Sequence, residues 1–135
     1  LPDGTEDDIP LGHVHLGDWV FLGGLSGVHQ FVRVGAHAMA GFQTRLSQDL
    51  PPYITAAGNP AEAQGINAEG LKRRGFSAER IAQVKLMHRA LYRKGLTLAA
   101  SRAEIATLRG QLAGSEGDIT LMLDFLDSAD RGIVR

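Results

Sequence analysis

The chain has 135 residues, with 14 Lys plus Arg against 15 Asp plus Glu and no cysteine. That length holds one compact domain, or one with an appended element, and excludes a large multidomain enzyme. The balanced charge argues against a nucleic-acid binder, and the missing cysteines exclude disulfides, thiolate nucleophiles and Cys-based metal sites.

Apolar residues make up 44% of the chain but aromatics only 6%, so the expected core is aliphatic. No apolar run is long enough for stable membrane insertion. The first segment, residues 1–10, carries Asp3, Glu6, Asp7 and Asp8 where a signal peptide needs basic and then apolar residues. A soluble, cytoplasmic protein is the expectation, with residues 1–10 standing apart from the rest of the chain.

From Leu16 to Pro51 the sequence repeats every six residues. The first position is apolar in each unit (Leu16, Leu22, Val28, Val34, Ala40, Leu46), the second is Gly at 17, 23, 35 and 41, and the fifth is small or β-branched from Val20 to Thr44. One inward aliphatic anchor per six residues fits a triangular coil. Each unit is a short strand and a turn, three units close a coil, and coils stack about 4.8 Å apart through parallel hydrogen bonds. Glycine after the anchor is expected to tolerate the turn backbone. About two coils are visible, over residues 11–52. Such a short stack would leave strand edges and an apolar end uncovered, so the chain reads as the C-terminal part of a longer solenoid or as one whose N-terminal end is capped by something else.

Pro51-Pro52 ends the period, Gly58-Asn59-Pro60 marks a turn, and residues 53–135 read as helical. The spacing predicts a short helix from Asn67 to Arg74 stopped by Gly75. A second runs from an N-cap at Ser77 to about Lys94, with Ile81, Val84, Met87 and Leu91 inward and Gly95 as its stop. Ser101-Arg102-Ala103-Glu104 has the form of a capping box opening a third helix with Ile105, Leu108 and Leu112 inward. Asp118 is expected to open a last one carrying Ile119, Met122, Phe125 and Leu126. Between Glu69 and Lys94 the bases Lys72, Arg73, Arg74, Arg80, Lys85, Arg89, Arg93 and Lys94 face only Glu69 and Glu79. Such a cluster is either a solvated face or a site for phosphate or an acidic partner.

The hexad repeat, Gly12-His13, Val28-His29-Gln30-Phe31, Gly35-Ala36-His37, the Asp49-Leu50-Pro51-Pro52-Tyr53 break, Gly58-Asn59-Pro60 and Asn67-Ala68-Glu69-Gly70-Leu71-Lys72-Arg73-Arg74-Gly75-Phe76 together resemble one family. It is the acyl-carrier-protein:UDP-N-acetylglucosamine O-acyltransferases, and the resemblance runs from about Gly12 to Arg135. It implies a left-handed parallel β-helix with a C-terminal α-helical domain, in homotrimers whose active sites lie between neighbouring subunits. The implied reaction moves a 3-hydroxyacyl chain from acyl carrier protein to the glucosamine 3-hydroxyl of UDP-N-acetylglucosamine, the first step of lipid A biosynthesis, with no metal and no cofactor. A His base, a thioester acceptor and a backbone oxyanion donor suit that chemistry.

Matched by position, the resemblance gives Gly12 the oxyanion N–H and His13 a place beside the acyl-pantetheine path. It puts His29, in a supporting role, and Gln30 at the sugar-nucleotide site, and makes Asn67, Glu69, Arg73 and Arg74 the nucleotide holders. Arg80, Lys85 and Arg89 become candidates for docking acidic acyl carrier protein. Phe42 follows Gly24 by eighteen residues, at a place lining the family's acyl groove, which predicts a preference for a short chain of around ten carbons. A core-filling Phe42 that never meets ligand is the alternative. The family's general base lies N-terminal to the matched region, and nothing in Leu1–Leu11 supplies it. Other readings remain: a non-catalytic nucleotide- or carrier-protein-binding module, an N-acyltransferase of the same pathway, or a γ-type carbonic anhydrase with zinc on His13, His15, His29 or His37.

Overall fold

A computed structural model describes residues 14–111, 116–129 and 132–135. The expectations for residues 1–10, Gly12, His13 and Leu112 lie outside the described residues. Six two-residue strands come first: β1 (His15–Leu16), β2 (Phe21–Leu22), β3 (Gly27–Val28), β4 (Arg33–Val34), β5 (Met39–Ala40) and β6 (Arg45–Leu46). They pair in parallel as β1 with β4, β2 with β5 and β3 with β6, each register spanning eighteen residues. Three hexads therefore make one coil with three faces. The first-position anchors turn inward and bury progressively along the stack: Leu16 is 43% exposed, Val34 2% and Ala40 0%. Fifth-position Val32, Ala38, Thr44 and Leu50 fill the interior beside them.

The turns are built differently from expectation. Left-handed backbone falls on the fourth position of the hexad, at Trp19, Leu25, Phe31, His37 and Gln43, all with φ between 59° and 70°, and none of them is glycine. The second-position glycines serve close approach instead. A Cβ on Gly17 would lie 2.6 Å from the Ala36 nitrogen, and one on Gly35 would lie 2.4 Å from that of Pro52.

The coil outlasts the six-residue period. Leu50 bridges to Val34, and β7 (Ile54–Ala57) pairs in parallel with β5, both across sixteen residues because the turn between Leu46 and Leu50 is two residues shorter than the one from Val28 to Val34. β8 (Glu62–Ile66) then returns antiparallel along β7 with a bulge at Thr55/Ala56, so the stretch read as the start of a helical region contains two strands.

The helices follow as α1 (Ala68–Arg73), α2 (Ala78–Tyr92), α3 (Leu98–Ala106) and α4 (Glu116–Asp127). Ser77 caps α2 as its sequence predicts, Asn67 caps α1 where the helix was expected to begin, and Ile81, Val84, Met87 and Leu91 are buried. The Ser101 capping box does not form. Thr97 caps α3 four residues earlier, accepting from the Ala100 N–H, and Ser101 is buried, its hydroxyl donating to the Ala90 carbonyl at 2.7 Å. That bond ties α3 to α2 where the helices pack, a stronger use of the hydroxyl than an exposed cap. Asp118 likewise sits inside α4 rather than opening it. The last residues come back to the solenoid: Ile133 bridges Asp49, and the Val134 carbonyl accepts from Tyr92. No helix among the described residues is long and apolar enough to cross a membrane.

Candidate functional site

The corner after β1 differs from the other two. Trp19, His37 and Tyr53 occupy it in successive coils, all left-handed, linked by His37 N–H to the Asp18 carbonyl at 2.8 Å and Tyr53 N–H to the Ala36 carbonyl at 3.0 Å. The helical tail packs against this column. Between them opens a cleft of ≈ 430 Å³ lined by Trp19, Val20, Phe21, His37, Met39, Asn67, Glu69, Gly70, Arg73 and Arg74. All four residues expected to hold a nucleotide, Asn67, Glu69, Arg73 and Arg74, thus share one wall.

The order of α1 explains that convergence. Asn67 Oδ1 accepts from the Gly70 N–H at 3.2 Å while its Nδ2 donates to the His37 carbonyl at 3.1 Å, so the cap residue pins α1 to the solenoid corner. At the other end, Gly75 at φ 84° closes a Schellman turn, its N–H on the Lys72 carbonyl and the Phe76 N–H on the Leu71 carbonyl. The helix lasts barely two turns, which leaves Glu69, Arg73 and Arg74 exposed on the solenoid side.

Behind the cleft, side chains close a ring of contacts. His37 stacks on Tyr53 with centroids 5.7 Å apart and meets Phe76 edge-on at 5.1 Å. The Tyr53 hydroxyl donates to Asp118 at 2.8 Å, Arg80 donates to both Asp118 oxygens at 2.9 and 3.0 Å, and the Arg80 guanidinium lies 3.7 Å over the Phe76 ring. Asp118 is only 5% exposed, and its three charge-assisted or phenolic bonds satisfy it. Burial chiefly, then the Asp118 charge and hydrogen bond, raise the Tyr53 hydroxyl far above its ordinary value. Burial also holds the His37 imidazole below its usual value, with Arg80 and Arg74 pushing the same way and Asp118 opposing. The wall of the cleft therefore presents a neutral imidazole beside two guanidinium groups.

Other expected residues lie elsewhere. His29 and Gln30 are exposed at the corner preceding β4, outside the cleft. Gly24 and Phe42 meet at the remaining corner, where a Cβ on Gly24 would lie 3.3 Å from the Phe42 ring. Phe42 is 66% exposed, which overturns the core-filling alternative. Arg80, expected on a docking face, is committed to Asp118 and Phe76, whereas Lys85 and Arg89 are exposed on α2. Among the described residues no three His, Cys, Asp or Glu side chains gather as metal ligands.

Sequence reasoning gave Trp19 no role and His37 only that of a possible zinc ligand. Their common signal was present: both stand at the fourth hexad position, eighteen residues apart, in one corner of successive coils. Asp118 carried no such signal, because its partners come from β-corner and α2 positions distant in sequence.

A family model described as UDP-N-acetylglucosamine O-acyltransferase, domain 2, matches residues 49–134. The acyl-[acyl-carrier-protein]–UDP-N-acetylglucosamine O-acyltransferase of Leptothrix cholodnii is 56% identical over 126 residues, covering 92% of this chain and 48% of that protein. Its counterpart in Albidiferax ferrireducens is 55% identical with the same coverages. The crystal structure of the UDP-N-acetylglucosamine O-acyltransferase from Moraxella catarrhalis superposes with a TM-score of 0.85 at 37% identity, over 92% of this chain and 47% of that one. The chain spans about half the length of the curated relatives it matches.

Proposed function

Because the chain belongs to the UDP-N-acetylglucosamine O-acyltransferase family, we propose that its protein transfers a 3-hydroxyacyl chain from acyl carrier protein to the 3-hydroxyl of UDP-N-acetylglucosamine, the first step of lipid A biosynthesis. The observation that carries this reading is the convergence of Asn67, Glu69, Arg73 and Arg74 on one cleft. Two adjacent guanidinium groups offer the forked donors that a diphosphate needs, and Asn67 and Glu69 offer the mixed donors and acceptors that suit a ribose and base. Neutral His37 adds no charge to that wall, leaving anion recognition to the arginines.

The coils wind left-handed in this reading, with the hexad repeat ending at residue 52 and β7 and β8 joining it to the helical domain. His29, in a supporting role, Gln30, and the acyl groove with Gly24 and Phe42 act from corners that do not touch the cleft of their own chain. A homotrimer resolves this separation, because a three-fold axis can bring one copy's bare corner to its neighbour's cleft. Phe42 over Gly24 shortens the groove, favouring an acyl chain of around ten carbons. Gly12 supplies the oxyanion N–H and His13 borders the acyl-pantetheine. Lys85 and Arg89 face the acidic carrier protein, in the cytoplasm, and no metal, cofactor or nucleic acid takes part.

The test is acyl transfer by the protein that carries this chain, with UDP-N-acetylglucosamine and its 3-O-acylated, deacetylated counterpart as rival acceptors. The first acceptor should be used and the second not. Arg73→Ala should raise the nucleotide KM by at least about tenfold. Preference for the deacetylated acceptor would transfer the chain to an N-acyltransferase reading.

A further inference from the structure

The geometry points to Trp19 as a positioning residue: we propose that its indole face holds the Arg74 guanidinium in the orientation that meets the anionic part of the cleft's ligand. This rests on the sugar-nucleotide reading of the cleft and extends it to a residue to which that reading gives no role.

The Arg74 guanidinium carbon lies 3.9 Å from the centre of the Trp19 ring, and both side chains line the cleft. Stacking of this kind occupies the flat face of the guanidinium and leaves its N–H donors, which lie in the plane at the edge, free for a phosphate. The two partners come from different parts of the fold. Trp19 projects from a coil corner fastened by the Gly17 N–H to the Val34 carbonyl and the His37 N–H to the Asp18 carbonyl, both at 2.8 Å. Arg74 stands at the end of α1, immediately before the left-handed Gly75. An arginine side chain has many rotamers to lose when it grips a ligand, and prior stacking on a rigid ring removes much of that loss before binding. The Arg73 side chain has no hydrogen bond, ion pair or ring contact among the described residues, so the adjacent arginines divide the work: one preset, one free to close on the ligand.

Trp19 is 60% exposed at φ 62°, a geometry it shares with Leu25 at the next corner, so the coil leaves its ring face open to the Arg74 guanidinium.

Trp19 is the single tryptophan of the chain, so its fluorescence reports the contact directly. In the full 135-residue chain, Arg74→Ala should change the Trp19 emission before any ligand is added. An unchanged spectrum would overturn the contact, whatever the function. With UDP-N-acetylglucosamine as the probe and calorimetry as the readout, Trp19→Ala should weaken binding about three- to ten-fold, and Trp19→Phe, which keeps a ring, should bind within about two-fold of the parent. The double variant Trp19→Ala/Arg74→Ala should bind no more weakly than Arg74→Ala alone, because Trp19 acts through Arg74. Parent-like affinity in Trp19→Ala, or losses that add in full, overturns the positioning role while leaving the nucleotide site standing. If the parent chain binds no UDP-N-acetylglucosamine, both the nucleotide reading of the cleft and this proposal fall.

Discussion

The three corners of the solenoid share one backbone and differ in what covers them. At the first, Trp19, His37 and Tyr53 are overlaid by α1, the α1–α2 turn and α4, and a cleft forms; at the second, Leu25 and Gln43 hold the same left-handed geometry with exposed side chains. The repeat thus supplies equivalent scaffold positions at a fixed interval, and the tail decides which of them becomes a site. The contacts that locate the tail include the Asn67 amide on the His37 carbonyl, the Tyr53–Asp118–Arg80 set, Phe76 against His37, the Arg33 guanidinium over Phe125, and the return of Ile133 and Val134 to the coil.

The sharpest way to break the scaffold is through its glycines, because the two regions use them for opposite reasons. Gly35→Ala should cost about 3 kcal/mol or more, read by denaturant unfolding, since the new Cβ meets the Pro52 backbone nitrogen and ring, which have nowhere to move. Gly75 has open space around it but a φ of 84°. There Gly75→Val should cost about 1–2 kcal/mol and Gly75→Asn much less, as asparagine tolerates the left-handed region; an equal cost for both would contradict the distinction.

Separating tail from corner comes next. Asp118→Ala leaves the buried Tyr53 hydroxyl and the Arg80 guanidinium without their acceptor. The expected loss is about 2–3 kcal/mol, discounted because Arg80 is partly exposed and can reach water. The same variant should raise the nucleotide KM, since His37 and Phe76 lose their backing, whereas Gln43→Asn at the bare corner should change stability by less than about 0.5 kcal/mol and binding not at all.

The smallest effect is a pH dependence. His37 and His88 both have imidazoles held below their ordinary value, by burial first; near His37 Arg80 and Arg74 add to it and Asp118 and Asp18 oppose it, and near His88 Arg93 adds. The unfolded chain therefore binds more protons than the folded one once the pH falls below about 6.5. Stability should be level above that value and decline beneath it until the folded imidazoles titrate. His37→Asn should remove its share of the decline, and a curve unchanged by that substitution would remove His37 from the account.

The solenoid was legible because its signal repeats. One inward anchor every six residues is averaged over six units, and the eighteen-residue register comes from it. The second-position glycines were visible too, but spacing cannot tell a glycine needed for its φ from one needed for its missing Cβ. The left-handed fourth position passed unnoticed because bulky residues occupy it. β7 and β8 were hidden because the turn from Leu46 to Leu50 is two residues short and breaks the period, and Pro51-Pro52 reads as a stop, although the pairing continues beyond both. In the tail, Asn67, Ser77, Gly75 and Gly95 mark boundaries by local chemistry that a sequence displays. Ser101 misled because Thr97 offered the same cap four residues earlier. The cleft was half legible: its α1 wall came from a recognised string, while Trp19 and His37 enter only through stacking of coils, and Asp118 only through packing of α4.

In the proposed function this chain carries two parts of one site, the cleft at one corner and His29 with Gln30 at another, completed by a neighbouring copy. Mixing tests it most directly: His29→Ala and Arg73→Ala forms of the protein that carries this chain are each assayed for acyl transfer to UDP-N-acetylglucosamine, then co-expressed and assayed again. Each alone should be severely impaired, and the mixture should regain about a quarter of the parent activity, the share of shared sites in randomly assembled trimers that draw both intact residues from different copies. Activity of the mixture no higher than the mean of the two separate forms would place both residues in a site made by a single chain and contradict the account.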